Sequence, residues 1–483
     1  MSIFKDQFPR MGASGQSTGT YQINQSIRFD QSENAYLKRT PSTATNRRTF
    51  TFSAWLKHSD QSTNGYHNIF SVRSGSTDYF EIAKLVNPDR TVNVMDIISK
   101  VSNTTALRLV TNRDFRDHSA WYHFVFVLDT TNSTDSERVR FYVNGLRETA
   151  FSTETYPSQN HDTYVNTTNE HQIGAYNGGS GYMMDGYMAE IHFVDGTAYG
   201  PEFFGEFNSS NIWIPKEYTS SHGTNGFYIT GETDSDLGAN KASGNTFATY
   251  TSSGMGTHDK VLDTPTNNFV TLNPMDATGL AAGELTGGML ETTANTIDAI
   301  RQTIPFPTSG KWYWELCMVS KTQGNWNYGQ HKFTDSLSER GTNVDWIRTN
   351  FYHGSNFSSS SNWTDGDFWS NTNNPSAGDI YGFAWNSDTK KIWLAKNNTY
   401  FGSGDPVNNT GTPLGSGGTA GVEYTVEMYM ALSQVMVLNY GQDSSFNGAK
   451  TRQGNQDAND VGDFYYAPPS GYLALCSKNL GAE

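Results

Sequence analysis

The sequence predicts an all-β protein made of two antiparallel β-sandwich (jelly-roll) domains in tandem. Three observations predict this. Short runs of aromatic and β-branched residues alternate with Gly, Ser, Asn and Asp turns, with almost no helical period. One type of hairpin occurs twice, at residues 119–145 and again at 379–398, about 255 residues further on. The 483 residues exceed what one ordinary core holds, and two or three domains is the expected number.

Taken in order, residues 1–24 form a Gly/Ser/Thr/Gln-rich arm whose large apolar anchors are Phe4 and Phe8-Pro9. The arm is expected to dock on a partner, with a frayed tail as the alternative. Residues 25–230 make the first sandwich. Its run 49–57 places Phe50, Phe52, Ala54 and Leu56 on one face. The first arm of its hairpin, 119–129, is aromatic and β-branched throughout, as in a strand covered on both sides. The second arm alternates, with Val139, Phe141 and Val143 opposite Arg138, Arg140 and Tyr142. Asn144-Gly145 then supplies the positive-φ pair of a tight turn. Pro201 opens a single helical turn. Residues 231–268, polar and poor in aliphatics, read as an extended connector packed between the domains. The second sandwich, 269–483, carries the repeated hairpin and a long aromatic-rich insertion at 322–378.

Composition narrows the function. Charged residues are 17% of the chain, below the roughly 25% of typical globular proteins. Aromatics reach 13%, enough to bury large areas and to exclude disorder. This is the make-up of an extracellular or virion protein with a neutral-polar surface. The net charge of −15 argues against a nucleic-acid partner and against docking on anionic lipid. No run approaches the roughly 20 apolar residues of a membrane span, and residues 1–10 do not begin a signal peptide. Extracellular composition without an export signal fits a cytosolic protein or one released by lysis, as virion proteins are. Cys317 and Cys476 lie in apolar strand-like runs and read as buried free thiols.

Particular segments add a family resemblance. Ile27-Arg-Phe-Asp30, Tyr36-Leu-Lys-Arg-Thr-Pro41, Phe52-Ser-Ala-Trp-Leu-Lys57, Ala120-Trp-Tyr-His123, Phe141-Tyr-Val-Asn-Gly145 and Asp185-Gly-Tyr-Met-Ala-Glu-Ile191 stand in the order and spacing of a concanavalin A/laminin G-like domain. They are similar in particular to the version found in structural proteins of marine bacteriophages. The resemblance spans residues 25–230 and implies a two-sheet jelly roll with Trp55 and Trp121 in its core. Gly310-Lys-Trp-Tyr-Trp-Glu315, Gly382-Phe-Ala-Trp385, Leu438-Asn-Tyr-Gly441 and Pro468-Pro-Ser-Gly471 resemble SPRY-like domains over 270–480, except that 322–378 replaces a shorter turn. A fold shared this widely identifies architecture better than ligand.

No catalytic residue is expected. A retaining glycosidase needs two carboxyl groups about 5–5.5 Å apart, and no strand carries a marked pair at i and i+2 or i+4. Glu190 and Asp195 miss that spacing, and Glu423 with Glu427 has nothing else to mark it. Serine-elbow and zinc-protease motifs are absent. No cofactor and no metal is expected, though the laminin G resemblance leaves structural calcium open at Asp30, Asp185 and Asp195. The expected ligand surface is the insertion, through Trp326, Tyr328, Trp346, Tyr352, Trp363, Asp365 and Trp369 among Ser, Asn and Gly. Aromatic faces with Asn and Asp beside them suit a glycan or a protein partner. A loop packing on itself or on a neighbouring subunit is the third reading. His331 and His353 read as loop hydrogen-bonders. The chain is thus expected in a virion, as a tail fibre or a capsid fibre or decoration protein. Its expected partners are other virion proteins, further copies of itself, and a host cell-surface glycan or receptor. A purely structural protein that oligomerises and cements the particle is the alternative.

Overall fold

The computed structural model describes residues 21–481 apart from 60–64, 87–91, 180–181, 243–248, 282, 294–298, 322–325, 334–346, 352–375, 412, 414, 417–419 and 431–433. The fold is all-β. It divides into two compact units, one ending at Asn267 and one running from Asn268.

The unit ending at Asn267 is a sandwich of two eight-stranded antiparallel sheets. The back sheet runs in the order Leu146–Arg147, Val139–Val143, Tyr122–Asp129, Thr49–His58, Gly186–Asp195, Ser26–Phe29, Lys260–Val261, with Phe227–Ile229 paired to Gly186–Asp195. The front sheet runs Phe151–Thr155, Thr104–Thr111, Asn93–Val101, Tyr79–Val86, Gly65–Arg73, His171–Ile173, Tyr36–Arg39, Thr251–Ser253. Strand alternation makes the core. Phe50, Phe52, Ala54 and Leu56 point inward to meet Phe70, Val72, Phe80 and Ile82. Across the gap Phe50 lies edge-on to Phe80 at 5.7 Å, and Phe52 stacks on Phe70 at 5.1 Å. Each such aromatic pair contributes about 0.5–1.5 kcal/mol beyond its buried area.

Two backbone devices set the back sheet's shape. Asn144 (φ 47°) and Gly145 (φ 78°) turn the hairpin, with the Trp213 ring lying where a Gly145 Cβ would stand. In the strand Gly186–Asp195 the register shifts between Ala189 and His192, and Glu190 takes a left-handed φ of 50°. That extra residue changes the strand's parity, so Met188 on one side and Ile191 and Phe193 on the other all reach the core.

Trp55 and Trp121 are buried, but not between the sheets. They pack with Tyr187, Ile23 and Val261 on the back sheet's outer face. Val125, Val127, Val194 and Phe204 cover another part of that face, with Tyr218 against them. The expected connector 231–268 is also corrected. Its Thr251–Ser253 pairs with Tyr36–Arg39, and its Lys260–Val261 pairs with Ser26–Phe29. Asp263 bonds Lys57 Nζ at 2.7 Å and receives the Trp121 indole N–H at 3.1 Å, while Asp259 faces Arg28 at 3.4 Å. The segment joins the sandwich through charged partners rather than an aliphatic stripe, so its composition reads as a linker.

The unit from Asn268 has a five-stranded sheet and a nine-stranded sheet. In the larger sheet Lys311–Lys321 lies between Gln434–Asn439 and Ile380–Asn386, and Lys391–Lys396 follows as the repeated hairpin. Its core holds Trp312, Trp314, Phe383, Trp385 and Tyr440. Cys317 and Cys476 are buried free thiols. Part of the segment expected as a loop is sheet: Trp326–Lys332 and Ile347–Phe351 pair with each other, and the former pairs with Tyr424–Met430. Among the described residues no helix is long and apolar enough to cross a membrane.

Candidate functional site

Alternation also fixes what the front sheet presents away from the core. Register places Lys38, Gln172, Ser71, Glu81, Ile98 and Arg108 in one transverse row across six strands. The neighbouring row holds Arg73, Tyr79 and Lys100. Where Gly65–Arg73 ends, a cavity of about 420 Å³ opens, lined by Ser71, Arg73, Gly75, Glu170, Gln172 and Asn177 among others.

Four tyrosines border this face in an edge-to-face chain. Tyr79 to Tyr176 is 6.3 Å, Tyr176 to Tyr182 is 5.8 Å, and Tyr182 to Tyr66 is 5.9 Å. Tyr182 is 47% exposed and sits at a left-handed φ of 56°. Its carbonyl accepts from Asn68 N at 3.0 Å and Asn68 Nδ2 at 3.3 Å, and its ring lies over Gly65, so the strained conformation is held from two sides. A bulky residue at positive φ costs on the order of 1–3 kcal/mol and marks a place to look for function.

The polar groups below are tightly set. Arg73 Nε donates to the Gly75 carbonyl at 2.7 Å, and its guanidinium lies 4.1 Å over the Tyr176 ring. Ser71 Oγ donates to the Ala175 carbonyl at 2.8 Å. Gln172 Nε2 donates to Glu170 Oε1, while the buried Gln172 Oε1 has no partner. Burial pushes the Glu81 carboxyl up to about 8, with Arg73 and Lys100 opposing and Asp96 adding to the rise. Asp96, buried and raised for the same reason, receives Arg108 at both oxygens, Nη2 at 2.9 Å and Nε at 3.4 Å. Chemically the face offers aromatic walls and a hydrogen-bonding floor, suited to a polyhydroxylated ligand.

Of the contact residues expected from sequence, two lie on a described strand. Trp326 and Tyr328 lie on the strand Trp326–Lys332, opposite Phe351 and Thr349. Trp346, Tyr352, Trp363, Asp365 and Trp369 lie outside the described residues, as do Phe4, Phe8 and Pro9. Of the acids considered for calcium, Asp30 caps a turn by accepting Ser32 N at 2.7 Å, and Asp195 accepts Asn166 Nδ2 and Asn225 N, both at 2.8 Å. Among the described residues the group with metal-ligand spacing is instead Glu33, His258 and Asp259. There His258 Nε2 stands 3.1 Å from Glu33 and 3.5 Å from Asp259. Asp259 also faces Arg28, which makes the trio a cross-link between the start and end of the sandwich. Glu190, the bulge residue, accepts from Tyr21 Oη at 2.7 Å and Tyr228 Oη at 2.8 Å. His192 beside it contacts His222 at 3.1 Å, and burial holds the His222 imidazole down to about 3.

One family comparison agrees with this architecture. Residues 30–201 match the laminin G-type family model described as the concanavalin A-like lectin/glucanases superfamily. No curated protein matches the chain. Among solved structures, full-length tailspike protein 2 of the Escherichia coli O157:H7 bacteriophage CAB120 is similar at TM-score 0.27 and 12% identity, over 39% of this chain. The chain covers 28% of that tailspike. Mouse laminin alpha1 domains LG4-5 are similar at TM-score 0.29 and 7% identity, over 95% of this chain and 89% of theirs. The SPRY domain of human HERC1 is similar at TM-score 0.23 and 12% identity, over 35% of this chain and 96% of its own.

Proposed function

We propose that the chain is a bacteriophage virion protein, a tail fibre or a capsid fibre or decoration protein, that attaches to host surface glycans. The contact surface is the outer face of the front sheet. The observation that carries this reading is the line Tyr79, Tyr176, Tyr182 and Tyr66 beside an open cavity with Ser71, Arg73 and Gln172 in its lining. Flat rings stack on sugar C–H faces while amides and hydroxyls bond ring hydroxyls, and rigid tyrosines do so at low entropic cost. The virion half of the reading is supported by the resemblance of segments within 25–230 to phage structural proteins. The aromatic segment 322–378 is proposed as a second contact surface, and the arm carrying Phe4, Phe8 and Pro9 as the virion anchor.

The test is binding of the purified chain to host cells and to arrayed bacterial surface polysaccharides. Tyr176→Ala with Tyr182→Ala is expected to lower binding about tenfold or more with the fold retained by circular dichroism. Antibody labelling of particles in electron micrographs is expected to place the chain on the virion. A chain that oligomerises and binds no glycan would be a particle cement instead.

A further inference from the structure

Resting on the glycan reading above, we infer that the front-sheet site takes an acidic saccharide, whose carboxylate is gripped by the terminal nitrogens of Arg73. Arg73 ends its strand with its Nε anchored on the Gly75 carbonyl and its plane fixed on Tyr176, with Tyr79 5.8 Å away. Among the described residues no carboxylate lies within ion-pair distance of it, and Nη1 and Nη2 have no acceptor. A guanidinium held in one plane with both terminal nitrogens unspent matches a carboxylate in two parallel charge-assisted hydrogen bonds, which are stronger than those to the neutral hydroxyls of an uncharged sugar.

The floor agrees. Gln172 is 4% exposed, and because its Nε2 is committed to Glu170 the amide orientation is fixed, leaving a buried Oε1 that lacks a donor. An unsatisfied buried acceptor in a binding cavity calls for a donor from the ligand, and a sugar hydroxyl provides one.

Local charge is opposite to the charge of the whole chain. Of the acids facing this side of the sheet, Asp96 is neutralised by Arg108, and Glu81 keeps its proton at neutral pH because of burial. Glu170 is then set against Arg73, Lys38 and Lys100. This side of the sheet is locally cationic although the chain carries −15, while the cavity lining itself holds one cation, Arg73, and one anion, Glu170.

The deciding experiment uses the full chain on an array of bacterial surface polysaccharides, each printed native and after carboxyl reduction. Binding is expected on uronate- or ulosonate-bearing polysaccharides and should drop about tenfold or more on their reduced counterparts. Arg73→Gln is expected to lower binding to native polysaccharide to a similar degree, with Arg73→Lys recovering only part of it, since an ammonium keeps the charge but not the fork. Equal binding to native and reduced forms overturns the carboxylate assignment and leaves the glycan reading standing. Binding to no polysaccharide overturns both. The reduction arm uses the unaltered protein, so a variant that fails to fold cannot obscure the result.

Discussion

Glu81 shows how one buried acid on the candidate face makes stability depend on pH. Its carboxyl is 7% exposed and pushed up to about 8, whereas the unfolded chain titrates near the ordinary value of 4.5. Because the folded pKa lies above the unfolded one, the folded chain holds a proton that the unfolded chain releases between those values. Stability therefore falls as pH rises through this window and levels off above it. At about 1.4 kcal/mol per unit, the loss between about pH 5 and pH 8 is roughly 3 kcal/mol. Glu81→Gln keeps the shape and removes the titration. Urea unfolding of the variant at several pH values is expected to show a flatter profile and higher stability than the parent at pH 8.5. An unchanged slope would show that Glu81 is solvated enough to ionise freely.

At the scale of the element, the hairpin turn separates conformational strain from steric overlap. Gly145 has a positive φ and an added Cβ there would overlap the Trp213 ring; Gly178, at φ 70°, has open space around it. Gly178→Ala is expected to cost about 1 kcal/mol and Gly145→Ala about 2 kcal/mol or more, read from urea midpoints. Turn and strand alternation here were plain in the sequence, since Asn-Gly and period-two apolar residues are local signals. The candidate site was not. Tyr79 and Glu81 alternate with Phe80 and Ile82 in one legible strand, but Tyr176 and Tyr182 arrive from a segment about 100 residues away, and only the sheet order brings them together. The bulge at Glu190 was equally hidden, because the strand's apolar residues run on through it and left-handed φ leaves no mark on a glutamate.

For the whole molecule, the sandwich class was legible because it repeats in every strand, while the end of the first unit was not. Residues 231–267 close that unit with two very short strands and with charges, features that composition scores as linker. Asp263 is the decisive contact, with its carboxylate and the Lys57 ammonium both fully buried. Asp263→Asn keeps an Oδ1 acceptor for the Trp121 indole but removes the charge opposite Lys57, at an expected cost of about 3–5 kcal/mol. Lys57→Met in the same chain removes the stranded cation and is expected to restore much of that loss. Because each unit has its own core, scanning calorimetry of the full chain is expected to show the transition of the unit ending at Asn267 shifted down while the other holds its temperature. A single transition that moves as a whole would mean that the two cores melt cooperatively. An unshifted profile would mean that residues 231–267 are a linker after all.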